Sequence, residues 1–184
     1  MNIQDGPAPA FGAENVGKST VPVYSALTLA LALDQVITVI NTPPILWLRQ
    51  PPLPPGELTE HNRKIVGGPL LDLLAIQACM KSGEVDPNEM WVATQNAEDD
   101  LYQLQWDESN VGKVMSVLRR EDYRNSEFCK SSSNSTHPCD VYLINYDDED
   151  ESRDWRAPSY YLKFSLIANR LTIVLISCHL ERNA

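Results

Sequence analysis

Eight side chains in the last third of the chain carry groups that can do chemistry: Arg124, Lys130, His137, Tyr161, Lys163, Ser177, Cys178 and His179. The sequence holds no paired-carboxylate motif, phosphate-binding loop or metal-ligand cluster. His137 and His179 are far too distant in sequence to read as a zinc pair. Cys178 beside His179 suggests a thiol–imidazole couple, but neighbours on a strand point to opposite faces, so a dyad is not expected. The remaining cationic, phenolic and imidazole groups suit an anionic substrate and proton transfer at phosphate. That chemistry calls for no metal and no cofactor. An imidazole, with an ordinary pKa of about 6.5, can either take or give the proton.

These groups need a strand pair to position them. Tyr160, Leu162, Phe164 and Leu166 alternate with Tyr161, Lys163 and Ser165, the period of a strand with two distinct faces. Asn169-Arg170 breaks the pattern and reads as a hairpin turn. The return run, 171–178, is apolar except at Thr172 and Ser177, as expected of a strand covered on both faces. A third strand is expected at 140–146. The polar stretch 122–138 reads as a connection. Asp147, Asp148, Glu149, Asp150, Glu151 and Asp154, opposed only by Arg153, read as an exposed, mobile loop.

Upstream, the spacing predicts three helices. Leu70, Leu71, Leu74, Ala75 and Ala78 form one stripe, stopped by Gly83. Ala93, Ala97, Leu101 and Leu104 form a second. In the third, capped by Ser109 or Asn110, Val111, Val114, Met115 and Leu118 share a face. The expected fold class is α+β, with N-terminal helices packed on a small antiparallel sheet of about three strands. Residues 1–68 read as an irregular Pro-rich extension, with a loose tail, a weak helix at 21–40 and a domain boundary near Gly67-Gly68-Pro69. Arg49, Pro52 and Pro55 have the spacing of a PxxP ligand, but such matches are common by chance and a stiff linker is the favoured reading of the prolines.

Composition bounds the setting. The net charge is -10 and apolar content is 43%, which excludes wholesale disorder. The run 21–33 is too short for a membrane span and lacks the flanks of a signal peptide. Four scattered cysteines without a CxxC pair favour a reduced, cytoplasmic protein.

Taken in order, several motifs resemble the motility quorum-sensing regulator (MqsR) family of toxins. They are Asp140-Val141-Tyr142, then Tyr160-Tyr161-Leu162-Lys163-Phe164, then Ile176-Ser177-Cys178-His179. The helices at 93–106 and 107–118 and the pair Asp122-Tyr123 are similar too, so the resemblance covers roughly residues 70–182. That family comprises bacterial mRNA interferases of RelE-like fold, held inactive by a cognate antitoxin. The resemblance therefore implies an RNA substrate, an antitoxin partner and metal-independent cleavage by 2′-hydroxyl attack, with no membrane association. It assigns Tyr161 to the catalytic tyrosine and His179 to the basic residue ending the last strand. The upstream lysine falls on Lys130 or, by counting from Asp122, on Arg124. Cys139 stands where the family has a substrate-binding glutamine, and Lys163 or Arg124 can neutralise charge developing at phosphorus.

Charge favours a second reading. Nearly all of the acidic excess falls from residue 69 onward, whereas RNA affinity rests on Lys and Arg. On that view the chain is a non-enzymatic interaction module, an inactive toxin homologue or immunity-type inhibitor, whose acids engage a basic protein.

Overall fold

The computed structural model describes residues 46–167 and 171–181, all within the compact unit Pro44–Ala184. Three helices build one layer. Helix α1, Leu73–Ser82, starts at Asp72, whose carboxylate accepts from the Ala75 N–H, and stops at Gly83 in the left-handed region at φ 80°. Helix α2, Gln95–Leu104, is capped in the same way by Thr94. Helix α3, Glu108–Val117, opens on a reciprocal box in which Asp107 and Asn110 each satisfy the other's backbone N–H. These caps satisfy donors that a helix leaves orphaned at its start.

The second layer is a mixed seven-stranded sheet. In chain order its strands are β1 (Lys64–Ile65), β2 (Trp91–Val92), β3 (Tyr123–Lys130), β4 (Thr136–Asp147), β5 (Ser152–Arg153), β6 (Ser159–Ile167) and β7 (Thr172–Leu180). Their spatial order is β1-β3-β4-β6-β7-β2, with β5 paired to the end of β4. Every pairing is antiparallel except that of β2 with β7. Alternation decides the faces. Tyr142, Ile144, Leu162, Phe164, Ile173 and Leu175 point to the helices and form one core with Ile76, Ala97, Val111 and Met115. Burying each of the larger members contributes about 1.5–3 kcal/mol. Cys139, Val174 and Ile176 point the other way and join Cys129 and Ala93 in a second cluster.

The small three-stranded antiparallel sheet expected behind N-terminal helices is thus corrected to a seven-stranded mixed sheet, with strands placed before and between the helices. The polar stretch 122–138 was the main source of the error. It contains β3 and the start of β4, and beside Phe128 its buried β3 positions are Ser126, Glu127 and Cys129. Ser126 is paired to Asp140, and Glu127 to Arg63 and Lys163, so hydropathy hides the strand. The two-residue strands β1, β2 and β5 are too short to show any period. Helix α1 also faces differently from the expected stripe. Leu70 and Leu71 precede it, and Leu74 is 76% exposed, while Leu73, Ile76 and Cys79 face the core. The acidic stretch 147–154 is a turn closed by β5. The expected helix at 21–40 and the turn at Asn169-Arg170 lie outside the described residues.

Residues ahead of Gly68 take part in the fold. Leu46 is buried, Trp47 bridges Leu71, and the Leu48 N–H donates to the Leu70 carbonyl at 2.8 Å. Asp140 anchors this segment from within. Its carboxylate, fully buried on β4, accepts from the Leu70 and Leu71 N–H groups and from the Ser126 hydroxyl. Burial raises its pKa, and those hydrogen bonds oppose the rise.

Candidate functional site

The alternation that sends Tyr160 and Leu162 into the core places Tyr161 and Lys163 on the opposite face. On β7, Cys178 enters the core while His179 joins Tyr161, so the thiol and the imidazole part company as strand geometry requires. Tyr161 and His179 are direct cross-strand partners. Their rings stack with centroids 4.9 Å apart and planes 10° from parallel. His179 Nδ1 lies 2.7 Å from the Leu180 carbonyl, which can only accept. Nδ1 therefore carries the proton in the neutral ring, and Nε2 keeps the lone pair.

Lys163 Nζ sits 5.4 Å from the Tyr161 ring centroid and 2.6 Å from Glu127 Oε1. Arg63 Nη2 reaches the same oxygen at 2.9 Å, and its Nη1 reaches Glu60 at 3.1 Å. Burial alone lowers the Lys163 ammonium, but the charges at Cys129 and Glu127 outweigh it and raise the group. Burial raises the Tyr161 phenol, with Lys163 pulling against it, so the phenol keeps its proton at neutral pH. A hydrogen bond from Cys139, together with Lys163 and Arg63, lowers the Cys129 thiol against burial, while burial raises Cys139. A line of groups thus runs across this face: Arg63, Glu127, Lys163, Tyr161, His179.

Beside it opens a polar cleft of about 390 Å³, walled by residues 58–60 and Arg63 on one side and by Thr94, Asn96 and Ser177 on the other. Cys129, Lys130 and Lys163 also line it.

Of the residues singled out in the sequence, Tyr161, His179 and Lys163 are brought together. Lys130 ends β3, exposed, and reaches the group through the cleft it shares with Lys163. Arg124 lies apart, exposed at the irregularity where β3 slips register on β4. Cys139 is on the same face as Tyr161 but fully buried, its Sγ 3.4 Å from the His137 carbonyl. His137 instead meets Trp91 edge-on at 5.5 Å. Ser177 donates to Asp100 at 3.4 Å.

Two members were not foreseen. Once β3 is recognised as a strand, its alternation sets Glu127 and Cys129 opposite Cys139 and His137, so that signal existed. Nothing local in the sequence marks Arg63, which arrives from 64 positions upstream of Glu127. Among the described residues no three His, Cys, Asp or Glu side chains converge as a metal requires, and no helix is long and apolar enough to cross a membrane.

Comparison of the chain with protein-family models, with curated proteins and with solved structures finds no match.

Proposed function

We propose that the protein is an endoribonuclease of the toxin class, cleaving mRNA by attack of a 2′-hydroxyl on the adjacent phosphorus. The observation that carries this reading is the Tyr161–His179 stack with Lys163 beside it. His179 Nε2 takes the 2′-hydroxyl proton as the new O–P bond forms. The Tyr161 phenol, kept protonated by burial, gives a proton to the departing 5′-oxygen as the P–O bond breaks. Lys163 stabilises the negative charge on the phosphorane between these events. The products are a 2′,3′-cyclic phosphate and a 5′-hydroxyl, with the two protein groups exchanging one proton to reset. A toxin of this kind works in the cytoplasm and is restrained by an antitoxin protein.

The test is cleavage of a mixed-sequence RNA in EDTA by wild type, His179→Ala and Tyr161→Phe. Each substitution should slow cleavage by about 10²–10⁴-fold, the usual contribution of a positioned acid or base. Equal cleavage by all three refutes the assignment.

A specific observation favours the second reading, an acidic interaction module. The acidic turn is braced: Asp148 accepts from Trp106 Nε1 and the Tyr160 hydroxyl, and Glu151 pairs with Lys113. Glu149 and Asp150 are thereby displayed, exposed, on a fixed support. Absence of cleavage by the wild type, with binding to a basic protein lost in Glu149→Lys/Asp150→Lys, supports this reading over the nuclease.

A further inference from the structure

The polar cleft lies next to the Tyr161–His179 stack and shares Lys163 with it. A chain of net charge -10 repels RNA over most of its surface, so affinity must come from a place where cations gather. Three cations meet here: Arg63, Lys130 and Lys163. Arg63 and Lys163 share a single buried carboxylate, Glu127, and so are not both neutralised by it. Glu60, the other acid near Arg63, is 84% exposed and screened by water. Lys130 forms no ion pair among the described residues, and it is exposed. Thr59 and Asn96 add a hydroxyl and a side-chain amide that have no hydrogen-bond partners among the described residues. The volume, about 390 Å³, admits a nucleotide-sized group.

We infer that this cleft is a phosphodiester subsite: it holds the backbone phosphate of a nucleotide flanking the one cleaved, through Lys130 and Arg63, with Lys163 between it and the stack. The inference rests on the nuclease reading and adds where the strand runs, from the stack past Lys163 towards the segment carrying Arg63. It reads no base, because its donors address the backbone.

The test uses a fluorescent 2′-O-methyl oligonucleotide, which cannot be cleaved, titrated by anisotropy in EDTA at about 50 and 200 mM salt. Wild type, Lys130→Ala and Asn96→Asp are compared, and cleavage of unmodified RNA is measured alongside. Both variants should bind several-fold more weakly whatever the base sequence. For Lys130→Ala the slope of log affinity against log salt should flatten by about 0.7, the value of one lost phosphate contact on a single strand. Wild-type affinity and slope in both variants overturn the subsite, as does a wild type that fails to bind. Cleavage that persists in either case leaves the nuclease reading standing with its strand path elsewhere. Lys130-dependent binding without any cleavage sustains the subsite while the nuclease reading falls.

Discussion

Glu127→Leu removes the carboxylate on which two cations converge, and its cost can be worked out from the structure. Lys163 Nζ lies 2.6 Å from Glu127 Oε1, with side-chain exposures of only 11% and 9%. Without its partner the ammonium stays in a place water scarcely reaches. Breaking a buried pair from one side costs about 3–5 kcal/mol. Arg63 softens the loss little, since it is 29% exposed, retains Glu60 and can rehydrate. We therefore expect about 3 kcal/mol of lost stability. Lys163→Met should cost less, about 1–2 kcal/mol, because Glu127 keeps Arg63 at 2.9 Å. The double variant removes both charges and should cost no more than Lys163→Met alone, giving a coupling of at least about 3 kcal/mol. Urea unfolding at constant m-value measures all three. A Glu127→Leu loss below about 1 kcal/mol refutes the reasoning. So does a double variant whose loss equals the sum of the singles.

Three further outcomes can be checked the same way. Asp140→Asn turns one acceptor of the Leu70, Leu71 and Ser126 bonds into a donor, and should lower stability by about 1–3 kcal/mol in urea melts. Gly68→Ala would drive a methyl group into the Tyr123 and Ser126 hydroxyls, and a loss of about 1–3 kcal/mol is expected, with neutrality counting against the packing described. Burial lowers the His137 pKa from its ordinary 6.5, and its Nε2 is buried without a hydrogen-bond partner among the described residues. For a base depressed in the folded state, the contribution to stability is full above 6.5 and falls as pH drops towards the lowered value. Melts of wild type and His137→Gln between about pH 7 and 5 should therefore converge on acidification, and parallel curves would contradict this.

The sequence was most legible where one physical rule acted alone. The alternation in 160–166 separates Tyr161 and Lys163 from Tyr160 and Leu162, and strand geometry parts Cys178 from His179, as the structure has them. The third helix was equally open, because Val111, Val114, Met115 and Leu118 answer only to core packing. Legibility failed where burial is bought with pairing. Glu127 and Lys163 are inward residues that hydropathy assigns to solvent, and they become intelligible only together with Arg63. Asp140 is likewise a buried carboxylate satisfied by N–H groups about 70 positions away, a partnership with no local trace. The first helix misled because Leu70 and Leu71 extend its apparent stripe, although they lie before the Asp72 cap.

The two shortest outer strands have a consequence for solubility. The run Thr172-Ile173-Val174-Leu175-Ile176 has the composition of a self-associating segment, β-rich and uncharged. Left at an edge, its free backbone groups would template the same run in other copies. Instead β2 lies along Val174 and Leu175, the Ala93 N–H donates to the Leu175 carbonyl, and the Thr94 hydroxyl donates to the carbonyl of Ile176. At the far side β1 covers Ser126 and Glu127, with the exposed Lys64 adding charge to that rim. Two residues at each end thus interrupt the continuous ladder that a second chain would need for edge pairing.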